Sequence, residues 1–214
     1  VPLAKLAAQL AINGKLSKMN LCTKSGNGLI AVKKPVFPFN KFPRQNVFLS
    51  PEMKSTGEVI GFDTHLGSAY AKAESGAGNS LPVDGTVFIS VNDSDKIAVI
   101  PMARDFKELG FVIMATEGTA QLLSENGVPA NPIFKVGEGR PSVVDAIKNG
   151  EVQLVVNTPL GAQSRFDEYE IGRSAIRYKV PVITTISGAQ AAIRGIRNIK
   201  SGSIQYRSLQ EVFT

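Results

Sequence analysis

Apolar and polar positions change rhythm a little over a third of the way along the chain. From Thr86 onward, short apolar runs alternate with helical stretches. The clearest unit is FVIMATEGTAQLLSENG, residues 111–127. Phe111–Ala115 is a continuous apolar run, as expected of a strand buried on both faces. Thr116-Glu117-Gly118-Thr119 follows as a small, hydroxylated turn. Helical spacing then runs over 118–125 and stops at Asn126-Gly127, a C-cap pair. Equivalent units recur. Strand Thr86–Val91 leads through the turn Asn92-Asp93-Ser94-Asp95 into a helix ending at Leu109-Gly110. Pro101 implies that this helix is either kinked or formed only after Ile100. Strand Pro132–Val136 precedes a helix over Ser142–Lys148 that Pro141 opens. Strand Val152–Val156 precedes helix Glu168–Tyr178, and strand Val182–Thr185 precedes helix Ala189–Ile196. Ser208-Leu209-Gln210-Glu211 is a capping-box pattern. Five strand–helix units predict an α/β fold: a five-stranded parallel sheet with helices on both faces.

The first 75 residues read differently, as a small α+β fragment. Leu3, Leu6, Ala7, Leu10 and Ala11 share one helical face, with Gly14 as the stop. Leu29–Val32 and Pro35–Phe39 are extended, and the prolines confine them to an edge or a kinked strand. Thr56–Phe62 alternates as a strand. Thr64–Lys72 is a short helix with Thr64 as its cap. The segment shows no core of its own, so its helix and strands are expected to need partners that this chain lacks. A stretch rich in Gly, Ser, Asn and Pro follows, within 74–85. The expected division is 1–75, a linker at 76–85, and a domain over 86–214.

Composition narrows the function classes. The chain has 214 residues, a net charge of +6 and one cysteine, Cys22. A lone cysteine excludes an internal disulfide and fits a reducing, cytoplasmic setting. No apolar run approaches the ~20 residues of a membrane span, and no signal peptide is visible. The positive excess is confined to residues 1–83, with 10 Lys/Arg against 4 Asp/Glu; residues 84–214 hold 14 of each. Basicity of that kind does not mark a nucleic-acid binder. Opening on Val1, directly in a helical pattern, implies a piece of something longer.

Candidate chemistry sits at the strand ends. Parallel sheets bind ligands beyond the carboxyl ends of their strands. Those ends carry Ser90, Thr116, Lys135, Asn157 with Thr158, and Thr184 with Thr185. The turn Thr116–Thr119 adds the Gly118 backbone and the Thr119 hydroxyl at a helix N-terminus, where the dipole favours an anion. Thr116 has a second reading, as a plain helix cap. Hydroxyls, amides and an ammonium suit a phosphate or carboxylate. No carboxylate, histidine or cysteine is expected among them for acid/base, metal or nucleophilic work.

The stretches PFNKFP (38–43), SPEMKSTGEVIG (50–61), ATEGTA (115–120), EGRPSVVDAIKNGE (138–151), NTP (157–159) and RSAIRYKVP (173–181) resemble the C-terminal end of the carbamoyl-phosphate synthetase large chain. The resemblance implies that residues 1–75 are the tail of the second ATP-grasp half. Residues 86–214 would then be a methylglyoxal-synthase-like, Rossmann-like allosteric domain. It also implies a function. The intact chain is an ATP-dependent ligase, using Mg or Mn and K, that makes carbamoyl phosphate for arginine and pyrimidine synthesis with ammonia from a glutaminase small subunit. This region would bind a nucleotide effector, UMP or IMP, and carry no catalysis or cofactor of its own. Homo-oligomer contacts are a further expectation. Carried over by position, Lys96, Lys135 and Thr116/Thr119 match the effector phosphate site, Asn157 and Thr158 the loop over the nucleotide, and Ser90 the first strand end. Thr184 matches a position near ornithine.

Three positions depart from the family pattern. Pro159 replaces a hydroxylated residue. Glu117 places a carboxylate beside the phosphate turn. Lys34 stands where a glutamate commonly contacts ornithine, and a lysine there opposes a cationic ligand. Alternatives are an assembly module with a degenerate site and a methylglyoxal-synthase-type lyase, whose GPLG loop Thr158–Gly161 resembles. The lyase needs a carboxylate and a histidine at the site. Ala162 follows Gly161, and the sole histidine, His65, lies before the linker, as a cap or surface residue.

Overall fold

The computed structural model describes residues 2–12, 14–19, 28–39, 54–158, 165–208 and 210–211. Expectations resting on Cys22, on 40–53 and on Pro159 to Ala162 lie outside the described residues.

The elements are α1 (Leu3–Ala11), β1 (Ile30–Val36), β2 (Gly57–Asp63), α2 (Leu66–Gly76), β3 (Thr86–Ser90), α3 (Lys96–Glu108), β4 (Val112–Thr116), α4 (Glu117–Glu125), β5 (Asn131–Ile133), α5 (Val143–Lys148), β6 (Leu154–Asn157), α6 (Arg165–Arg177), β7 (Val182–Ile183) and α7 (Ile186–Lys200). β3 to β7 form one parallel sheet in the order β5-β4-β3-β6-β7. The chain winds outward from β3 to β5, then crosses back to β6. The two directions part between β3 and β6, the place where such sheets open a crevice.

The strands alternate between two cores. Val87 and Ile89 of β3, Ile113 and Ala115 of β4, and Leu154 and Val156 of β6 share a buried cluster with α3, α4 and α7. Phe88 and Val155 point the other way, into a cluster with α5 and α6. A two-residue period thus serves both faces, and this is why the strands read as unbroken apolar runs.

Helix ends follow local chemistry, with several corrections. α3 begins at Lys96, ahead of Pro101, which lies inside the helix. Pro101 is on the exposed face, where water can take the carbonyl four residues back and the ring has room. Pro141 does not open α5. It precedes the N-cap Ser142, whose hydroxyl accepts from the Asp145 N–H while the Asp145 carboxylate takes the Ser142 N–H, a full capping box. Ser142→Ala should therefore cost about 1 kcal/mol of stability in urea unfolding. The Ser142 N–H, then its hydroxyl, hold the Asp145 carboxyl below its ordinary range. The cap's contribution is therefore full above the ordinary aspartate pKa and drains away as pH falls through the lowered value, so the mutant's deficit should shrink in acid. Ser208 and Glu211 make the expected reciprocal cap.

The leading segment is not without partners. β1 and β2 form an antiparallel pair that includes Pro35, opposite Glu58. Among the described residues that sheet has only these two strands, so Pro35 sits on an edge strand, where proline is tolerated. α2 packs on this pair and also on α7. A Cβ on Gly61 of β2 would meet the Ala69 carbonyl oxygen at 2.1 Å, and one on Gly67 of α2 would meet the Arg194 carbonyl carbon at 2.5 Å. Glycine here allows backbones to touch. Asn198 of α7 donates to the Ser68 hydroxyl of α2 at 2.8 Å. α2 also begins later than expected. Thr64 does not cap it; His65 occupies the cap position without a side-chain cap bond. The helix continues to Gly76, and Leu81 beyond it is buried.

Candidate effector site

At the carboxyl edge of the sheet the strand ends line up in the order Lys135, Thr116, Ser90, Asn157 with Thr158, then Thr184. Ser90 and Asn157 are register partners across the point where the winding reverses. Ser90, Thr116, Thr119, Asn157 and Thr158 are all buried. Five polar side chains gathered at one edge of an apolar sheet bring hydrogen-bonding capacity that the core does not need.

Thr116 occupies the N-cap position of α4, yet its hydroxyl makes no cap bond. It donates to Thr119 Oγ1 at 3.3 Å. The cap-only reading of Thr116 is therefore replaced by a pair of buried hydroxyls beside a helix N-terminus. The Gly118 Cα faces open space, with nothing within 4 Å of a Cβ placed there. An anion can approach this turn's backbone closely. Thr158 does structural work as well: its Oγ1 accepts from the Asn92 N–H at 3.1 Å and from Asn92 Nδ2 at 3.3 Å. The Thr158 N–H donates to the Ser90 carbonyl at 3.0 Å. The ends of β3 and β6 are thereby locked together.

The lysines stand at the rim. Lys96, first residue of α3, lies 2.6 Å from Asp93 Oδ1. Lys135 lies 4.0 Å from Glu138 Oε1, and its N–H donates to Glu138 Oε2. Asp167, in the first turn of α6, has its carboxyl pushed up by burial; Lys135 opposes that shift and Glu138 adds to it. The strand-end set itself holds no carboxylate, but neighbouring ones pair with the rim lysines: Asp93 with Lys96 and Glu138 with Lys135. The sequence carried no signal for the influence of Lys135 on Asp167.

Thr184 is exposed just past β7, and the next residue, Thr185, caps α7 by accepting from the Gly188 N–H at 3.1 Å. Lys34 turns inward and ion-pairs with the buried carboxylate of Glu74 on α2. Burial, then the Glu74 charge and the hydrogen bond to it, push the Tyr70 phenol upward, so it stays protonated and donates to Glu74. The Lys34 charge is thus balanced within the chain. His65 lies at the start of α2, exposed and 3.7 Å from Asp63 Oδ1, and takes no part in the strand-end site. Among the described residues, no cluster of His, Cys, Asp and Glu is arranged to hold a metal, and no helix is long and apolar enough to cross a membrane.

Residues 98–184, from within α3 to just past β7, match the family model of the MGS-like domain. Nearly the whole chain is similar to carbamoyl phosphate synthase large chains, one of them a C-terminal section. It is 47% identical over 211 residues to the large chain of Nostoc sp., matching 99% of this chain and 19% of that one. It is 44% identical over 219 residues to the C-terminal section of the Methanopyrus kandleri large chain, of which it covers 40%. A methylglyoxal synthase structure from Elizabethkingia anophelis aligns at a TM-score of 0.43 and 18% identity, over 53% of this chain and 79% of that one. The chain spans about a fifth of the full-length relatives that it matches.

Proposed function

We propose that this region is the regulatory C-terminal part of a carbamoyl phosphate synthase large chain, and that it binds a phosphate-bearing nucleotide at the strand ends. What supports this reading is the set of four buried hydroxyls, Asn157, an open helix N-terminus at Gly118 and two lysines found after successive strands of the sheet or at the start of the following helix. The hydroxyls and N–H groups would receive phosphate oxygens, and the ammonium groups would neutralise them. Control of synthesis then requires the nucleotide to favour one state of the parent enzyme over another. Ligase chemistry, ATP with its metal ions, and the glutaminase partner belong to the parent, and the chain alone is expected to turn over no ATP.

Calorimetric titration of the chain with UMP, IMP and ornithine tests the reading. Saturable nucleotide binding is expected, weakened at least about tenfold by Lys135→Ala through loss of a charge-assisted contact. Weak or absent ornithine binding is expected, since Lys34 is held by Glu74. Failure of every nucleotide to bind would overturn the reading in favour of an assembly module.

A further inference from the structure

Both rim lysines already hold carboxylates, but the two pairs differ. Glu138 also accepts the Lys135 N–H, so its carboxylate shapes the turn after β5. Asp93 has no such duty to the main chain around Lys135. Its side chain is 89% exposed and reaches Lys96 at 2.6 Å. It opens the short 3-10 turn Asp93–Asp95, which Asn92 fixes. Asn92 Oδ1 accepts from the Asp95 N–H at 3.1 Å, and Asn92 Nδ2 donates to Asp95 Oδ2 at 2.8 Å. Asn92 is in turn tied to Thr158. Asp95 is thus occupied by Asn92, and Asp93 is the carboxylate that a well-anchored turn delivers to the lysine. The Lys96 hydrogen bond and charge hold the Asp93 carboxyl below its usual range. The field of Lys135 adds to this.

We propose that Asp93 is a built-in competitor for the effector phosphate: its carboxylate occupies Lys96 and must be displaced before a phosphate pairs with that lysine. The proposal rests on the strand-end reading above. It names a selection rule for the site. A carboxylate or a phosphodiester brings one negative charge, the same as the group it must displace. A phosphomonoester brings close to two at neutral pH, so the exchange favours monoesters. The exchange is inexpensive because the displaced carboxylate is exposed and returns to water.

The test is titration of the 214-residue chain with UMP and with inorganic phosphate, in wild type, Asp93→Asn, Glu108→Gln, Lys96→Ala and the Lys96→Ala/Asp93→Asn double variant. Glu108 lies at the far end of α3 and makes the same change in net charge. Asp93→Asn should tighten binding about two- to fivefold, the scale of an exposed ion pair. Glu108→Gln should change it little, and Asp93→Asn should have no effect once Lys96 is gone. If wild type binds and Asp93→Asn binds no better, or if Glu108→Gln gives the same gain, the competitor role is refuted while the site stands. If wild type does not bind, both fall.

Discussion

Lys34→Met is expected to destabilise the chain by about 3 kcal/mol, the lower end of the range for stripping a buried charge of its partner. The Glu74 carboxylate is 5% exposed, and the Lys34 side chain 24%. Without Lys34, the carboxylate keeps, among the described residues, the Tyr70 phenol, which donates one hydrogen bond and no charge. A buried carboxylate with so little compensation must either protonate or break the packing between β1 and α2. Pairing Lys34→Met with Glu74→Gln should recover most of the loss, because the amide still accepts from Tyr70 and no charge is stranded. Urea unfolding of the three variants measures this. A single variant within about half a kcal/mol of wild type would mean that water reaches Glu74 in solution and the pair is an ordinary surface one.

Phe106→Ala should cost about 3–5 kcal/mol, the range for emptying a fully buried aromatic position. Phe106 is completely buried on α3 and meets Phe111 edge to face, with ring centroids 5.7 Å apart. Phe111 stands at the entry to β4, so this contact fastens the end of α3 to the start of the next strand. The loss also bears on the strand ends. α3 is held by Val99, Met102, Ala103 and Phe106 on one face, and its first residue is Lys96. A cavity under its last turns loosens the helix that carries a rim lysine. Phe106→Leu should cost much less, since most of the volume remains. A loss below about 1 kcal/mol for Phe106→Ala would show that α3 collapses into the space without penalty.

The sheet was legible because its strands are short apolar runs between strong punctuation. Asn126-Gly127 and Asn149-Gly150 end helices where the pattern says they should. The misread boundaries share a physical cause: each lay where a residue's local preference was answered from outside its own stretch. Pro101 argues against a helix by itself, but on the exposed face the unpaired carbonyl has water to turn to. Ser187 and Gly188 lie ahead of Ala189, the expected start of the last long helix. The Thr185 cap starts α7 ahead of them, and a Cβ at Gly188 would sit 2.9 Å from that same hydroxyl. The docking of α2 on α7 left no periodic trace, since it joins Gly67 to Gly195 and Ser68 to Asn198 across most of the chain. At the strand ends the hydroxyls and lysines were readable one by one from strand order. Asp93 and Glu138 stand in turns, and their pairing with Lys96 and Lys135 leaves no pattern in the sequence.

The double allegiance of α2 bears on how this region can be moved between proteins. One side of the helix seats β1 and β2, and the other fills a groove of α7 that only glycine-to-backbone contact can close. A cut placed in the Gly- and Pro-rich stretch before Thr86 follows the composition of the chain but divides that helix from its groove. Transplantation by an engineer or by recombination keeps both contacts of α2 when the hairpin, α2 and the parallel sheet travel together.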